Sequence, residues 1–373
     1  MADWNGIVVP EVEQLDQFAL GLTIAEVKEL HGLDEVVKLS WNENLFGPLP
    51  GVLDAIHSEL ENIWLYPERP YIEFREEVAA SAGVSPANVL PAHGSLALLG
   101  LTASLFLRPG DRVVVPELTY GLYSQVSATR GAVVHRVPMR DLEIDLDALA
   151  AAARGVDARV AWVCDPNNPT GFALDPGAWR DFLDALPDRC VAVVDEAYAD
   201  FIPPDRRMRR EHDIAEGRRV VVLRSFSKLY GLAGLRLGYA IVDEPLVPYF
   251  DLLEEPFNVN CAALAAGVAC LRAEAAVDER RLLVAAARER LADELRSVGF
   301  EPLRSDTNFV LARVDVDDVL LGDRLAARGL LIRPGSDYGL SGYIRVTVGP
   351  SELMERFGVE LRDVCSSLRA PVA

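Results

Sequence analysis

The fold is decided by the stretch Val220-Val221-Val222-Leu223-Arg224-Ser225-Phe226-Ser227-Lys228. Its first four residues are apolar on both faces, which is typical of a strand buried inside a parallel sheet. The polar residues after it lie where such a strand ends, at the edge where open α/β sheets bind ligands. A lysine there forms a Schiff base with a carbonyl once its amine is neutral, and Ser225 and Ser227 can donate to a phosphate. Taken alone, the stretch also fits an ordinary surface lysine flanked by serines.

Four more predicted strands precede this stretch, and helical patterns separate them. Residues 112–115 and 133–137 are short predicted strands, whereas residues 159–164 and 190–194 are nearly continuous apolar runs. Residues 176–186 are an example of a helical stretch between two of them. Strands that alternate with helices predict a parallel sheet covered by helices on both faces.

The composition of the sequence and its pattern of predicted elements change after about Cys261. Residues 262–298 predict a long helix rich in alanine and arginine, followed by strands at 307–314, 330–333 and 343–348 with helices between and after them. This pattern indicates a second, α+β unit. We therefore expect an N-terminal arm (1–40, with a short helix at 24–31) that packs with the small domain, a large domain (41–265) and a small domain (266–373).

Composition excludes several classes of function. The chain has 373 residues, with 37 basic and 57 acidic side chains and a net charge of −20, so we expect neither a nucleic-acid nor a membrane partner. Its five cysteines include no Cys-x-x-Cys pair, which favours a reduced, cytoplasmic setting, and we expect no bound metal. The first residues, 1–5, lack a basic segment followed by an apolar one, so we expect no signal peptide.

Polar residues follow two of the other runs. Asp195 ends the run 190–194, and a buried carboxylate needs a charged or protonated partner, such as the ring nitrogen of pyridoxal 5′-phosphate (PLP). The alternative is a helix cap. Residues 165–171 follow the run 159–164, and their Asn-Pro and Thr-Gly pairs are turn chemistry. The functional alternative is an asparagine amide that donates to the phenolic oxygen of the cofactor.

Three arginines and the N-terminus of one predicted helix indicate sites that bind anions. Gly94 and Ser95 precede an apolar helix, whose free N–H groups favour a phosphate, although serine caps are common without a ligand. Arg236 lies among glycines and apolar residues, eight positions after Lys228, and needs an anion if it is buried. Arg333 and Arg345 both lie in predicted strands and suggest an anionic substrate group, unless they are exposed strand arginines.

Together and in this order, the motifs resemble the fold-type-I PLP-dependent aminotransferases of classes I and II, and most of all the histidinol-phosphate aminotransferase family. The matching positions are Asn168, Asp195, Tyr198, Ser225, Lys228, Arg236 and Arg345. The segments that carry the resemblance are 41–48, 66–67, 119–123, 166–171, 194–198 and 225–238. The resemblance implies an α/β fold, with a mostly parallel large-domain sheet between helices and a smaller α+β domain.

The resemblance also implies a role for each matching residue. Lys228 would hold PLP and shuttle the proton, Asp195 would keep the ring nitrogen protonated, and Tyr198 and Asn168 would bond the phenolic oxygen while Tyr120 stacks on the ring. The phosphate would be held by Gly94, Ser95, Ser225, Ser227 and Arg236. Tyr66 would reach the cofactor of a second subunit, which implies a homodimer with shared sites. The substrate's anionic group would meet Asn42, Arg333 and Arg345.

The N-terminal arm departs from the family. Where the family commonly has a Pro-Tyr pair that closes over the substrate, residues 15–23 have Phe18 and no hydroxyl. Leu45 replaces a usual proline, Trp41 is bulky, and Leu96 and Ala97 replace acidic residues after the phosphate-loop serine. These changes make the entrance more apolar and leave room for an aromatic donor.

Several functions therefore remain open on sequence grounds. The first is ping-pong transamination between histidinol phosphate, or a related amino donor, and 2-oxoglutarate/glutamate. The alternatives are an aromatic amino-acid aminotransferase and a PLP lyase or decarboxylase such as threonine-phosphate decarboxylase. A PLP-sensing module of a transcription regulator would need a DNA-binding domain, and the residues before Trp41 are too few and too weakly basic to supply one.

Overall fold

The structure is a computed structural model that describes residues 6–13, 15, 21–68 and 71–370. Its α-helices up to residue 260 are α1 (Pro10–Glu13), α2 (Ile24–His31), α3 (Val52–Glu59), α4 (Ile72–Ala82), α5 (Ser95–Phe106), α6 (Leu122–Ala128), α7 (Leu146–Val156), α8 (Pro176–Ala185), α9 (Glu211–Ala215) and α10 (Val247–Leu253). Those that follow are α11 (Cys261–Arg272), α12 (Glu274–Ser297), α13 (Asp318–Ala326) and α14 (Ser351–Arg369).

The strands form three sheets. They are β1 (Val37–Lys38), β2 (Val89–Ala92), β3 (Arg112–Pro116), β4 (Val133–Val137), β5 (Val160–Cys164), β6 (Val191–Asp195), β7 (Val220–Ser225), β8 (Gly238–Ile241), β9 (Glu301–Pro302), β10 (Phe309–Arg313), β11 (Leu330–Leu331), β12 (Arg333–Pro334) and β13 (Tyr343–Thr347). The large sheet has seven strands in the order β2-β8-β7-β6-β5-β3-β4. Its pairs are parallel from β4 to β7, whereas β8 is antiparallel to both β7 and β2. The predicted α/β fold with a mostly parallel sheet is confirmed.

Strand register brings the site residues to one edge of this sheet. Cys164 of β5 pairs with Asp195 of β6, and Asp195 pairs with Leu223 of β7. Ser225, at the end of β7, pairs with Gly238 of β8. Because β5, β6 and β7 are parallel and end together, the polar residues after them lie side by side.

Helices cover the large sheet on both faces, which explains its nearly continuous apolar strands. In β6, Ala192 and Val194 belong to one buried core, whereas Val191 and Val193 belong to another on the opposite face. Neighbouring residues of a strand point to opposite faces, so both sets must be apolar.

A second, antiparallel sheet has the order β12-β13-β10-β9 and shares a core with α12, α13 and α14. The two-stranded pair β1–β11 is parallel and links residues before the large sheet to the C-terminal part of the chain. Among the described residues, no helix has the length and apolar character needed to span a membrane.

Two predictions about this part of the chain were wrong in detail. The long helix predicted at 262–298 is two helices, because Ala273 has non-helical backbone angles (φ −97°, ψ 45°). No glycine or proline marks that break in the sequence. The run predicted as one strand at 330–333 is divided between β11, which pairs with β1, and β12, which pairs with β13.

Candidate active site

Lys228 lies just beyond β7 with its amine directed at the backbone. Its Nζ donates to the carbonyl oxygens of Trp41 and Asn42, each at 3.1 Å, and lies 5.5 Å from the centre of the Tyr198 ring. Burial lowers the pKa of Lys228 to about 8, and the charge of Arg345 acts in the same direction. This lysine is therefore not an ordinary surface lysine, and a large fraction of its amine is neutral near pH 8.

Asp195 is buried at the end of β6 and does not cap a helix. Its Oδ2 accepts the hydroxyl of Tyr123 at 2.9 Å, and its Oδ1 accepts the N–H of Ala197 at 3.0 Å. Burial raises the pKa of this carboxyl, while the Tyr123 hydrogen bond lowers it. A carboxylate in this position can hold a protonated ring nitrogen, since one lone pair on each oxygen remains for a partner.

Tyr198 and Asn42 meet above the sheet edge. Asn42 Nδ2 donates to the Tyr198 hydroxyl at 2.9 Å, and the Asn42 N–H donates to Thr347 Oγ1 at 3.0 Å. Asn42 has a positive φ of 57°, and Asn308 Nδ2 donates to its carbonyl at 3.1 Å. These contacts fix the segment that carries the two carbonyls facing Lys228.

Arg236 and the start of α5 form a cradle with anion-binding chemistry. A Cβ atom on Gly94 would lie only 2.5 Å from Arg236 Nη2, so the guanidinium sits directly against the N-terminus of α5, which begins at Ser95. Arg236 Nη1 donates to Ser227 Oγ at 3.3 Å, and the Ser227 N–H donates to Ser225 Oγ at 3.1 Å. A helix N-terminus, a guanidinium and two hydroxyls are together a strong phosphate site.

Arg333 and Arg345 are cross-strand partners in the register of β12 and β13, so both side chains stand on the same face. Both guanidinium carbons lie near the Tyr338 ring, at 5.7 and 5.2 Å from its centre. Arg345 is buried, with Nη1 donating to Asn168 Oδ1 at 2.5 Å. Arg333 Nε pairs with Asp337 at 2.8 Å. Neither is an exposed strand arginine.

The loop after Arg333 is held by one carboxylate at the start of α13. Asp318 accepts the N–H and hydroxyl of Ser336, at 2.8 and 3.0 Å, and the N–H of Gly342 at 3.1 Å. Although burial raises the pKa of Asp318, these hydrogen bonds bring it below its ordinary value. The loop presents Asp337 and Tyr338 to the arginine pair.

A buried ion network lies behind the strand ends, and sequence reasoning missed it. Arg210 donates to Asp165 at 2.5 Å and to Glu196 at 2.7 Å, so it joins the residues that follow β5 and β6. Arg224 Nε donates to Glu196 at 2.8 Å. Burial raises the pKa of Glu196, but the charges of Arg224 and Arg210 outweigh it and lower the pKa to about 2. The acidic residues that follow two predicted strands, Asp165 and the Asp-Glu pair at 195–196, were the sequence signals for this network.

Tyr120 and Tyr66, two other predicted positions, lie in different surroundings. Tyr120 packs edge-on against Tyr123, with ring centres 5.6 Å apart, and burial followed by the charge of Asp195 raises its pKa to about 12. Tyr66 is 78% exposed and stacks on Phe257. Phe18 lies outside the described residues.

The donor set fits PLP. The aldehyde requires an amine that is partly neutral, the ring nitrogen requires a buried acid, and the phosphate requires a cationic site rich in N–H groups. Lys228, Asp195 and the cradle of Gly94, Ser95 and Arg236 provide these three environments. With the mostly parallel sheet and the second α+β unit, they define a PLP-dependent enzyme of fold type I.

Comparisons with known proteins agree with this class. Residues 34–359 match the family model described as aminotransferase class I and II. Histidinol-phosphate aminotransferase from Symbiobacterium thermophilum is 36% identical over 350 residues, which cover 93% of this chain and 95% of that protein. The corresponding protein from Moorella thermoacetica is 33% identical over 345 residues, covering 92% and 89%.

Solved structures give the same result. Histidinol-phosphate aminotransferase from Sinorhizobium meliloti, in complex with PLP, has a TM-score of 0.89 and 29% identity, covering 96% of this chain and 97% of that chain. Aspartate aminotransferase from Thermus thermophilus shares the fold, with a TM-score of 0.81 at 20% identity over 96% of this chain and 99% of that one. The chain belongs to the class I and II aminotransferase family. It is a PLP-dependent transaminase, which acts on an amino donor and a 2-oxo acid.

Proposed function

We propose that this transaminase takes the amino group of histidinol phosphate and passes it to 2-oxoglutarate, by a ping-pong mechanism in the cytoplasm. The observation that carries the proposal is the Arg333–Arg345 pair, which places two guanidinium groups on one face beside the cofactor residues. Two such groups meet a phosphate dianion better than a single carboxylate. The names of the similar proteins support the same donor.

Within this proposal, the residues at the sheet edge bind and orient PLP. Bound PLP supplies an electron sink that stabilises negative charge at the Cα of the donor. Asp195 holds the proton on the ring nitrogen, and Lys228 Nζ takes the proton from Cα, since burial lowers the pKa of its amine to about 8 and so favours the neutral form. Tyr198 and Asn168 bond the phenolic oxygen, and Tyr120 stacks on the ring.

The cofactor phosphate and the substrate occupy separate cationic sites in this proposal. Gly94, Ser95, Ser225, Ser227 and Arg236 bind the phosphate of PLP. Arg345 binds the anionic group of the substrate together with Arg333 and Asn42. Phe18 belongs to the arm that we propose to line the entrance.

The protein acts as a homodimer in this proposal, because Tyr66 and the large apolar side chains next to it in sequence are exposed. Trp64 is 79% exposed, Ile63 and Leu65 are also exposed, and the exposed ring of Phe257 stacks on Tyr66. Large apolar side chains grouped in this way mark an interaction surface. A second copy that covers this surface brings Tyr66 to the partner's cofactor phosphate.

The proposed division of the chain is an arm (1–40), a large domain (41–265) and a small domain (266–373).

An aromatic amino acid is the second candidate donor. The Arg333–Asp337 ion pair favours it, since the carboxylate neutralises part of the charge that a phosphate would need. The exposed side chain of Trp41, whose carbonyl accepts the Lys228 amine, adds an aromatic residue to the segment that faces this amine.

Arg333→Ala distinguishes the two donors. Loss of a charge-assisted hydrogen bond costs about 1.5–3 kcal/mol, so we expect kcat/KM for histidinol phosphate to fall about 10- to 100-fold, with much smaller losses for phenylalanine and glutamate. The measurement is the half-reaction of the PLP form with each donor, followed by cofactor absorbance.

Arg313→Ala is the matched control, because Arg313 lies on β10 with its side chain 64% exposed, and it should change none of the three rates. An equal loss for all donors in Arg333→Ala would make Arg333 a structural residue. A higher kcat/KM of the wild type with phenylalanine than with histidinol phosphate would identify an aromatic amino acid as the donor.

A further inference from the structure

Tyr123 touches the proposed ring-nitrogen acid, although no motif in the sequence singled it out for this role. Its side chain is fully buried in α6, and its hydroxyl lies 2.9 Å from Asp195 Oδ2. The other carboxylate oxygen, Oδ1, receives only the N–H of Ala197 among the hydrogen bonds of the described residues. The Tyr123 hydroxyl is therefore the one side-chain donor that Asp195 has there.

Packing, and not Asp195, fixes the position of the Tyr123 ring. The ring stacks on Trp162, with centres 5.6 Å apart and an interplanar angle of 6°. A second ring contact is edge-on with Tyr120, whose ring centre lies 5.6 Å away. Ser127 Oγ accepts Trp162 Nε1 at 3.0 Å and donates to the Tyr123 carbonyl at 2.8 Å, which joins the stack to α6. A hydroxyl held in this way is in place before a cofactor binds.

We propose that Tyr123 is a positioning residue whose hydroxyl makes Asp195 a weaker base and thereby keeps the shared proton on the ring nitrogen of PLP. The inference rests on the proposed role of Asp195. Hydrogen bonding to a carboxylate favours its ionised form, and burial opposes that form. Without the hydroxyl, Asp195 becomes more basic and draws the proton away from the ring. The other titratable groups around it are Lys228, Glu196, Cys164 and Tyr120.

Tyr123→Phe tests this, because it keeps the stacked ring and removes only the hydroxyl. The holoenzyme is loaded with PLP that carries nitrogen-15 in the ring, and NMR follows the pH at which that nitrogen loses its proton. We expect this midpoint to fall by about one pH unit, with kcat lower by about tenfold (~1.4 kcal/mol) and KM for the donor within about twofold. A fluorinated tyrosine at position 123 is a stronger donor of the same shape, and we expect it to raise the midpoint.

Ser127→Ala is the control for packing. It leaves Trp162 Nε1 without its acceptor, so we expect a lower Tm with an unchanged ring-nitrogen midpoint. Asp195→Asn distinguishes a wrong role for Tyr123 from a wrong role for Asp195. If Asp195→Asn leaves the midpoint unchanged, the role of Asp195 is wrong. If Asp195→Asn shifts it while Tyr123→Phe and the fluorinated variant do not, only the role of Tyr123 is overturned.

Discussion

Lys228 is hydrogen-bonded through its amine and also has a lowered pKa. Its amine donates to two carbonyl oxygens, contacts that favour the charged form, and yet burial and Arg345 make its pKa lower than that of a free lysine. Burial is the larger influence, because it removes the amine from water. The side chain is therefore directed by hydrogen bonds and activated by its surroundings at the same time.

The rate at which the apoenzyme captures PLP should therefore rise as pH increases through about 8. The sign follows from the lowered pKa, since the amine is charged below this value and neutral, hence nucleophilic, above it. Stopped-flow absorbance between about pH 6.5 and 9.5 measures the midpoint. Arg345→Gln should raise the midpoint because it removes a neighbouring positive charge, whereas Arg313→Gln should not. A rate independent of pH in the wild type would contradict the lowered pKa.

A second prediction at this scale concerns Asp195→Ala. It removes the proposed partner of the ring nitrogen, so we expect kcat to fall by several orders of magnitude, with Asp195→Glu retaining part of the activity. Single-turnover absorbance with a saturating donor measures the loss. Activity of Asp195→Ala within about tenfold of wild type (~1.4 kcal/mol) would show that another group holds the ring nitrogen.

The loop at residues 335–342 is the element that sets the surroundings of the arginine pair. Asp318 orders it through Ser336 and Gly342, while Tyr338 stands beside both guanidinium groups. Because the loop contacts the proposed substrate residues and not Lys228, its order bears on binding more than on proton transfer.

Asp318→Ala should therefore raise KM for the amino donor by about 5- to 10-fold and leave kcat within about twofold, a loss of about 1 kcal/mol in binding. Steady-state kinetics give both values. The control is Asp317→Ala, which removes the cap of α13, where Asp317 Oδ1 accepts the N–H of Leu320 at 2.8 Å. It should cost about 1 kcal/mol of stability without raising KM. Equal KM values in the two variants would show that the loop does not contribute to substrate binding.

The helices and strands that the sequence predicted well are those whose hydrophobic pattern lies within the element itself. Strands β5 to β7 are nearly continuous apolar runs, and the ends of β6 and β7 indicated Asp195, Ser225 and Lys228. β2 and β8 are only four residues each and were missed, since they become strands by pairing with each other across the chain. The Tyr123–Asp195 bond spans 72 residues, and the Arg210–Asp165 bond spans 45, so neither leaves a local trace.

At the scale of the whole molecule, the exposed apolar side chains at residues 63–66, with Phe257 stacked on Tyr66, are a feature that the isolated chain leaves unexplained. Its proposed role in a dimer is tested by mixing Lys228→Ala with Tyr66→Ala. If Tyr66 acts on the partner's cofactor, a mixed dimer holds both lesions in one site and leaves the other intact. Activity should then recover to about one quarter of wild type for random exchange of equal amounts, because half of the dimers are mixed and each has one intact site.

Native mass spectrometry confirms the exchange, and Tyr66→Phe mixed with Lys228→Ala shows the part that the hydroxyl plays. No recovery after verified exchange, with Tyr66→Ala alone severely impaired, would place Tyr66 in its own subunit's site.

The bond between Asn42 and Thr347 has a consequence for synthesis on the ribosome. The two residues are 305 positions apart, so the segment that faces Lys228 cannot settle until almost the whole chain has emerged. At about 5–20 residues per second, translation of that interval takes roughly 15 to 60 s. The large sheet can form during this time, because its last strand ends at Ile241. A nascent chain would thus carry a folded sheet with an unfinished active site, and any PLP that it bound early would be held without the closing segment.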